Sequence, residues 1–564
     1  MNRWGAALVL VTATALGVRA ETGTLMRALN DELGRTTSRL RMEQLAPPYF
    51  AAYTVEEDRR LEIRGAFGAL KGSNVSLYRN VKVDVRVGSA EFDNTHYVGR
   101  DYWNYDTMTQ PLIVEDDYDA LRFDLWRLTD DAYKHALQRF SHKKAYKQSR
   151  MIRDEIPDLT RDPAQSSQRG AARPELRREL WETRMSKVSA VFKDYPAIES
   201  SDASLFWTDR TVYLADSEGR RSSKPADDYE IYITANAQAV DGMGLSDYRR
   251  FIRRRADDLP PYSLLEAEAL QLARGLTALT KAPLFAEDYI GPVLFEDQAA
   301  GEFFNQLLAR NVSFPRELWL EDESAREKFH KGELTERLGL RVISPLISVE
   351  DDPSLEAFEG VPLIGHYAVD DEGIPAERVQ LIERGILKDL PTSRAPTKKS
   401  LRSNGHSRGA LWEIPTAHIS NMIVWAEKTS SMEEIKQDLL ARARDFGLDH
   451  AYIVRRLVME EGREAGELLA PPIMLYRVDA ESGEETLVRN AKFSGVTLRA
   501  LRDIVAVSSR RHVHNFYQLG PFALARGQTQ ASIIHPSILV SEMELKRTDK
   551  KPVKLPYLKH PHFN

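Results

Sequence analysis

Leu25, Leu29, Leu33 and Leu40 recur at helical spacing over residues 22–41, which predicts an amphipathic helix that "APP" at 46–48 stops. The period then changes. In "YRNVKVDVRVGS", Val81, Val83, Val85 and Val87 alternate with polar residues, the pattern of a half-buried strand. With "YFAAYTVEE" and "RLEIRGAFGALKG" before it, this strand suggests an antiparallel meander. Helical spacing returns over 117–145, with Leu121, Leu125, Trp126 and Leu128 on one side, and again over 175–193. Between these helices "PDLTRDPAQSSQRGAARP" (157–174) reads as an exposed loop. "SLFWTDRTVYLADSEGRR" reads as a hairpin turning near Ser217-Glu218-Gly219, and "YEIYITANAQAV" as a strand. Ser263 and Glu266 have the spacing of a capping box opening an Ala/Leu-rich helix to about Leu279.

The second half repeats this mixture without repeating the sequence. "YIGPVLF" is a strand that runs into a helix over 296–309, whose apolar stripe is Ala299, Ala300, Phe303, Phe304, Leu307 and Leu308. A strand pair turns at Arg384-Gly385, Ser431 and Glu434 cap a helix to about Arg444, and "HAYIVRRLVME" and "PIMLYRVD" are strands. Strands and helices joined mostly by hairpin-type links imply an α+β class, with antiparallel sheets flanked by helices. A chain of 564 residues exceeds one ordinary core, so two mixed domains are expected, 21–285 and 286–564, divided in the Pro-containing stretch 280–290.

The first twenty residues stand apart. A positive start at Asn2-Arg3, the apolar run "WGAALVLVTATALGV" and the small-residue end "VRA" predict a secretory signal cleaved after Ala20. The expected location is therefore periplasmic or extracellular, with no membrane association after cleavage. The chain has 78 basic and 84 acidic residues, for −6; losing Arg3 and Arg19 with the signal leaves −8. Such an acidic balance argues against a general nucleic-acid binder. There is no cysteine, which excludes disulfides, thiol nucleophiles and thiolate metal ligands.

Three patterns bear on chemistry. Gly405-His406-Ser407-Arg408-Gly409 satisfies G-x-S-x-G, but a nucleophile elbow needs an apolar strand before the Ser and a helix after it. Here "TKKSLRSN" leads in and Pro415 follows closely, so the esterase context is missing. His512 and His514 place two imidazoles on one face of an extended segment and are weak metal candidates; Arg510 and Arg511 beside them disfavour a dication. His560 and His562 lie in a Pro-rich tail. Glu296 opens the helix after "YIGPVLF", where free N–H groups and the helix dipole would stabilise a carboxylate. A catalytic role for it would need a Lewis acid to activate water.

Several stretches in order resemble the TldD/PmbA family, the modulator-of-DNA-gyrase type of metallopeptidase. They are "YIGPVLFEDQAAGEFFNQLLA", "AVDDEGIPAERVQLIERGILKDLPTSRAPTKKSLRSNGHSRG", "AKFSGVTLRALRDIVAVSS" and "PSILVSEMELK". The resemblance implies a TldD/PmbA-like fold and peptides or unfolded polypeptides as substrate. In the TldD-like branch the helix after the strand carries H-E-x-x-x-H, with a downstream Cys as a third zinc ligand. Laid on this chain, the motif puts its first His at Phe295, its Glu at Glu296 and its second His at Ala300, reading F-E-D-Q-A-A. The chain therefore resembles the PmbA-like branch without zinc ligands, whose members pair with a TldD-like subunit.

This implies no cofactor bound by this chain and no catalytic residue in it, with zinc expected in a TldD-like partner that carries H-E-x-x-x-H. The loop containing Asn404, Gly405 and Arg408 is then expected to face substrate or partner. Two other readings stand beside this one. The first is an active metallopeptidase with unrecognised ligands such as His512 and His514. The second is a stand-alone periplasmic peptide-binding protein.

Overall fold

A computed structural model describes residues 23–99, 108–153, 155–168, 174–175, 177–322, 324–325, 329–413, 416–464, 466–521, 528–548 and 553–554. The expected signal, His560, His562 and residues 169–173 of the expected loop lie outside the described residues.

Helix α1 (Thr24–Arg39) buries Leu25, Leu29 and Leu33 and ends at Leu40. Strands β1 (Pro48–Ala66) and β2 (Ala69–Ser89) form one long antiparallel hairpin. The four alternating valines of β2 share a core with α1 and with Leu121, Leu125 and Leu128 of α2 (Tyr118–Ser149). Trp126 is 46% exposed rather than part of that stripe. It sits one residue past Leu125, about 100° around the helix, so burying Leu125 turns it outward.

Helices α3 (Arg178–Ala190) and α4 (Tyr262–Lys281) share a second core with β3 (Ile198–Asp216), β4 (Asp228–Gln238) and β5 (Gly244–Arg253). The spatial order β5-β4-β3-β1-β2 is antiparallel throughout. The expected capping box at Ser263 and Glu266 does not form. The helix starts directly after Pro261 with no side-chain cap, and Glu266 instead accepts from the Tyr262 hydroxyl at 2.8 Å.

The second sheet is built from β6 (Tyr289–Phe295), β7 (Ile347–Asp351), β8 (Val379–Glu383) and β9 (Asn421–Ala426). It continues with β10 (His450–Leu457), β11 (Pro472–Asp479), β12 (Ile504–Leu519) and β13 (Gln528–Arg547). Its order is β8-β7-β9-β13-β6-β10-β11, with β12 also on β13. Two pairs, β6 with β10 and β9 with β13, are parallel, and in the first sheet the short segment Ser166–Gln168 pairs parallel with Arg221–Ser223, so the expectation of antiparallel sheets holds in the main for both. Those partners are far apart in sequence, and no turn signal marks their pairing.

Helix α5 (Asp297–Phe304) packs on β10, β12 and β13, and its phenylalanines enter the largest core. Helix α6 (Met432–Asp445) carries the expected capping box of Ser431 and Glu434. No helix among the described residues is long and apolar enough to cross a membrane.

Candidate functional site

The chain leaves β6 and enters α5 through Glu296 and Asp297, and Asp297 takes the left-handed φ of 43° that Asp tolerates better than most residues. Phe295 and Ala300, the two positions where the family motif has histidines, are both 0% exposed. Phe295 packs its ring on Phe303 and Phe493, with centroids at 4.9 and 5.8 Å. Neither residue offers a lone pair, and the chain has no cysteine, so this position does not fit a zinc ion.

Glu296 is the N-cap residue, yet its carboxylate caps nothing. The Ala299 and Ala300 amides donate to its backbone carbonyl, at 3.0 and 3.3 Å. The carboxylate accepts from Arg455 Nε on β10 at 2.8 Å, with Lys436 Nζ of α6 at 3.8 Å. Arg455 and Lys436 also share Glu485. The expected helix-terminus role of Glu296 is thus corrected to an ion-pair role: a cation reaches the carboxylate from the neighbouring strand.

The expected helix over 296–309 forms from Asp297, but it is not uniform: α5 passes into a π turn over Asn305–Ala309 and a last turn at Arg310–Val312. Polar side chains take over local hydrogen bonding there. Asn305 Nδ2 and Gln306 Nε2 donate to Glu302 Oε2 at 3.2 and 2.9 Å, and Asn311 Nδ2 donates to the Leu307 carbonyl at 2.9 Å.

His512 and His514 do lie on one face of β12, turned to α5. His512 Nε2 is 3.4 Å from Asp297 Oδ1, and His514 Nε2 is 3.3 Å from Glu302 Oε1. The register of β12 on β13 sets His535 opposite His512, and its ring approaches both others, with centroids at 6.0 and 6.4 Å. Burial, with His514 and His512 nearby, pushes His535 down to about 3, so it is neutral. Burial lowers His512 as well. Burial alone would raise the Glu302 carboxyl, but His514, Gln306 and Asn305 overcome it and hold it below the usual range. Among the described residues no three His, Asp or Glu side chains converge to hold a metal.

These side chains form the inner wall of a cleft of about 360 Å³, closed on its other sides by β5, by Arg456 of β10 and by Glu461 beyond that strand. Sequence reasoning missed Glu302 and His535. One sits inside an apolar helix stripe and the other in the apolar run "SIIHPSILV", and a buried His or Glu in such a run was the available signal.

The loop with Asn404, Gly405 and Arg408 lies elsewhere, bracketing chain to chain. Asn404 Oδ1 accepts from the Thr392 amide at 2.7 Å, and its Nδ2 donates to the Leu390 carbonyl at 2.9 Å. Gly405 has φ 74°, and a Cβ there would stand 2.2 Å from the Pro375 carbonyl oxygen. His406 is buried between Asp351 Oδ2 and Asn404 Oδ1, each at 2.9 Å. Ser407 is buried in a two-residue strand with no helix after it, so the elbow geometry is absent. Arg408 lies over the Tyr367 ring at 4.4 Å, with Nε 3.8 Å from Asp371.

Comparison with known proteins bears on the same half. Residues 288–547 match the family model described as the PmbA/TldA metallopeptidase C-terminal domain. A metalloprotease of Archaeoglobus fulgidus is 25% identical over 287 residues, 49% of this chain and 59% of that protein's length. In fold, the chain is similar to a protein from Thermotoga maritima described as a modulator of DNA gyrase, with TM-score 0.56, 14% identity and coverage of 88% of this chain and 96% of that one. It is likewise similar to TldE from Thermococcus kodakarensis, with TM-score 0.54, 13% identity and coverage of 92% and 99%.

Proposed function

The chain belongs to the TldD/PmbA family, and within it we propose that this is the exported, zinc-free subunit of a two-chain metallopeptidase acting on peptides or unfolded polypeptides. The observation that carries this reading is the state of the motif position. Phe295 and Ala300 are fully buried apolar residues, and Glu296 is engaged by Arg455 rather than free to take a proton from water. Hydrolysis would then be performed by a TldD-like partner with an intact H-E-x-x-x-H, and this subunit would contribute wall and peptide-binding surface. The positive, apolar and small-residue segments of residues 1–20 support export.

Affinity purification of the tagged mature chain from its native source tests the pairing. The reading expects a relative bearing H-E-x-x-x-H at one-to-one stoichiometry. A chain that purifies alone, and stays alone when mixed with such a relative from the same genome, would overturn it. N-terminal sequencing should begin at Glu21, and a native protein that starts at Met1 would refute export by a cleaved signal.

A further inference from the structure

We infer that the inner end of the cleft between α5 and β12 is a site for a primary ammonium group, so that a polypeptide enters it by its free amino terminus. This deepens, and rests on, the peptide-binding part of the reading above.

Three acceptor atoms there have capacity left for a further donor: Asn305 Oδ1, His535 Nε2 and Glu302 Oε1. Asn305 is 1% exposed, and its Oδ1 meets no hydrogen-bond donor among the described residues, while its Nδ2 is held by Glu302. A buried amide oxygen left in this way costs free energy unless a donor arrives. His535 is also 1% exposed. Its Nδ1 donates to the Pro536 carbonyl at 3.1 Å, so in the neutral ring Nε2 carries a lone pair. That nitrogen faces Gly301, where a Cβ would stand only 2.9 Å away. Glu302 is 2% exposed and charged; its Oε2 takes two amide donors, and its Oε1 has only His514 Nε2 at 3.3 Å, which lacks hydrogen-bond geometry.

The ligand this arrangement fits is a compact cation with several N–H donors. Three cations around the cleft are already neutralised, Arg249 by Glu268 and Asp247, Arg250 by Glu230 and Glu461, and Arg456 by Asp247, and a fourth, Arg253, donates to the Asp258 and Ile252 carbonyls. Among the described residues of the cleft, Glu302 is a buried carboxylate without a guanidinium or ammonium partner, with only His514 facing its Oε1, whereas Asp297, which faces His512, is 65% exposed. A bare metal would need ligands that converge, and these do not. An ammonium carries three N–H donors and reaches each acceptor at an ordinary hydrogen-bond length, longer than a metal–ligand bond. The cleft holds about 360 Å³, room for the residues that follow an amino terminus.

The test uses the purified mature chain and a six-residue alanine-rich peptide labelled at its C-terminus, with the amino end either free or acetylated, followed by fluorescence anisotropy at neutral pH. The free peptide should bind about tenfold or more tightly than the acetylated one, the size of a charge-assisted hydrogen bond. Glu302→Gln, which keeps the shape, should bring that ratio close to one, and Asn305→Asp should increase it. Equal binding of the two peptides, no binding of either, or a ratio unchanged in folded Glu302→Gln would each overturn the proposal. Stoichiometric zinc that displaces the peptide and is lost in His535→Gln would overturn it in favour of a metal. Co-purification with a relative is read separately, so a failure here leaves the pairing to stand or fall on its own.

Discussion

Replacing Glu296 with Gln separates a structural carboxylate from a catalytic one. The Arg455 Nε bond to Glu296 is 2.8 Å, and the Glu296 side chain is 10% exposed while that of Arg455 is 30% exposed. A charge-assisted bond contributes about 1.5–3 kcal/mol and a neutral one about 0.5–1.5 kcal/mol, so losing the charge but keeping an acceptor costs about 1–2 kcal/mol. Glu485 still holds Arg455 at 2.8 Å, so the lower end of that range is expected. Urea unfolding of wild type, Glu296→Gln, Arg455→Met and the double variant should give a coupling energy of about 1 kcal/mol. A coupling of zero would show that the pair does not stabilise the fold. Peptide hydrolysis by the assembled complex should be near normal with Glu296→Gln. Loss of a general base would instead lower the rate by about 10²–10⁴. A folded, partner-bound and inactive Gln variant would refute the assignment of Glu296.

Three further outcomes are expected. Gly301→Ala would place a methyl 2.7 Å from His514 Cβ and 2.9 Å from His535 Nε2, so it should destabilise by about 1–3 kcal/mol in urea unfolding. His535, held down to about 3 in the fold, takes up a proton near 6.5 only when unfolded. Its contribution is therefore complete above 6.5 and is lost as pH falls toward 3: relative to His535→Gln, wild type should lose about 1.4 kcal/mol between pH 8 and pH 5.5, and parallel curves would refute this. The double change Phe295→His, Ala300→His should not create a peptidase in the isolated chain, because both positions are fully buried in the core and no cysteine is available as a third ligand. Peptide hydrolysis assays with added zinc check it.

Much of the fold was legible because burial follows period. The valines of β2 and the leucines of α1 and α2 went where their spacing put them. Trp126 was misplaced because a large apolar residue next to a stripe looks like part of it. The π turn was hidden because Asn305 and Gln306 interrupt a pattern that Leu307 and Leu308 resume. At the site, the missing motif histidines were legible from identity alone. The partner of Glu296 was not, since Arg455 is 159 residues away and meets it only through the parallel pairing of β6 and β10. The same limit hid His535, whose place beside His512 depends on the register of two long strands.

On the proposed reading the chain holds no zinc and performs no hydrolysis by itself. Elemental analysis and a peptide-hydrolysis assay on the same purified mature chain, after dialysis against a weak chelator, test it most directly. The expected result is no stoichiometric zinc and no turnover until a relative with H-E-x-x-x-H is added. About one zinc per chain, with turnover that disappears in His514→Ala, would contradict it.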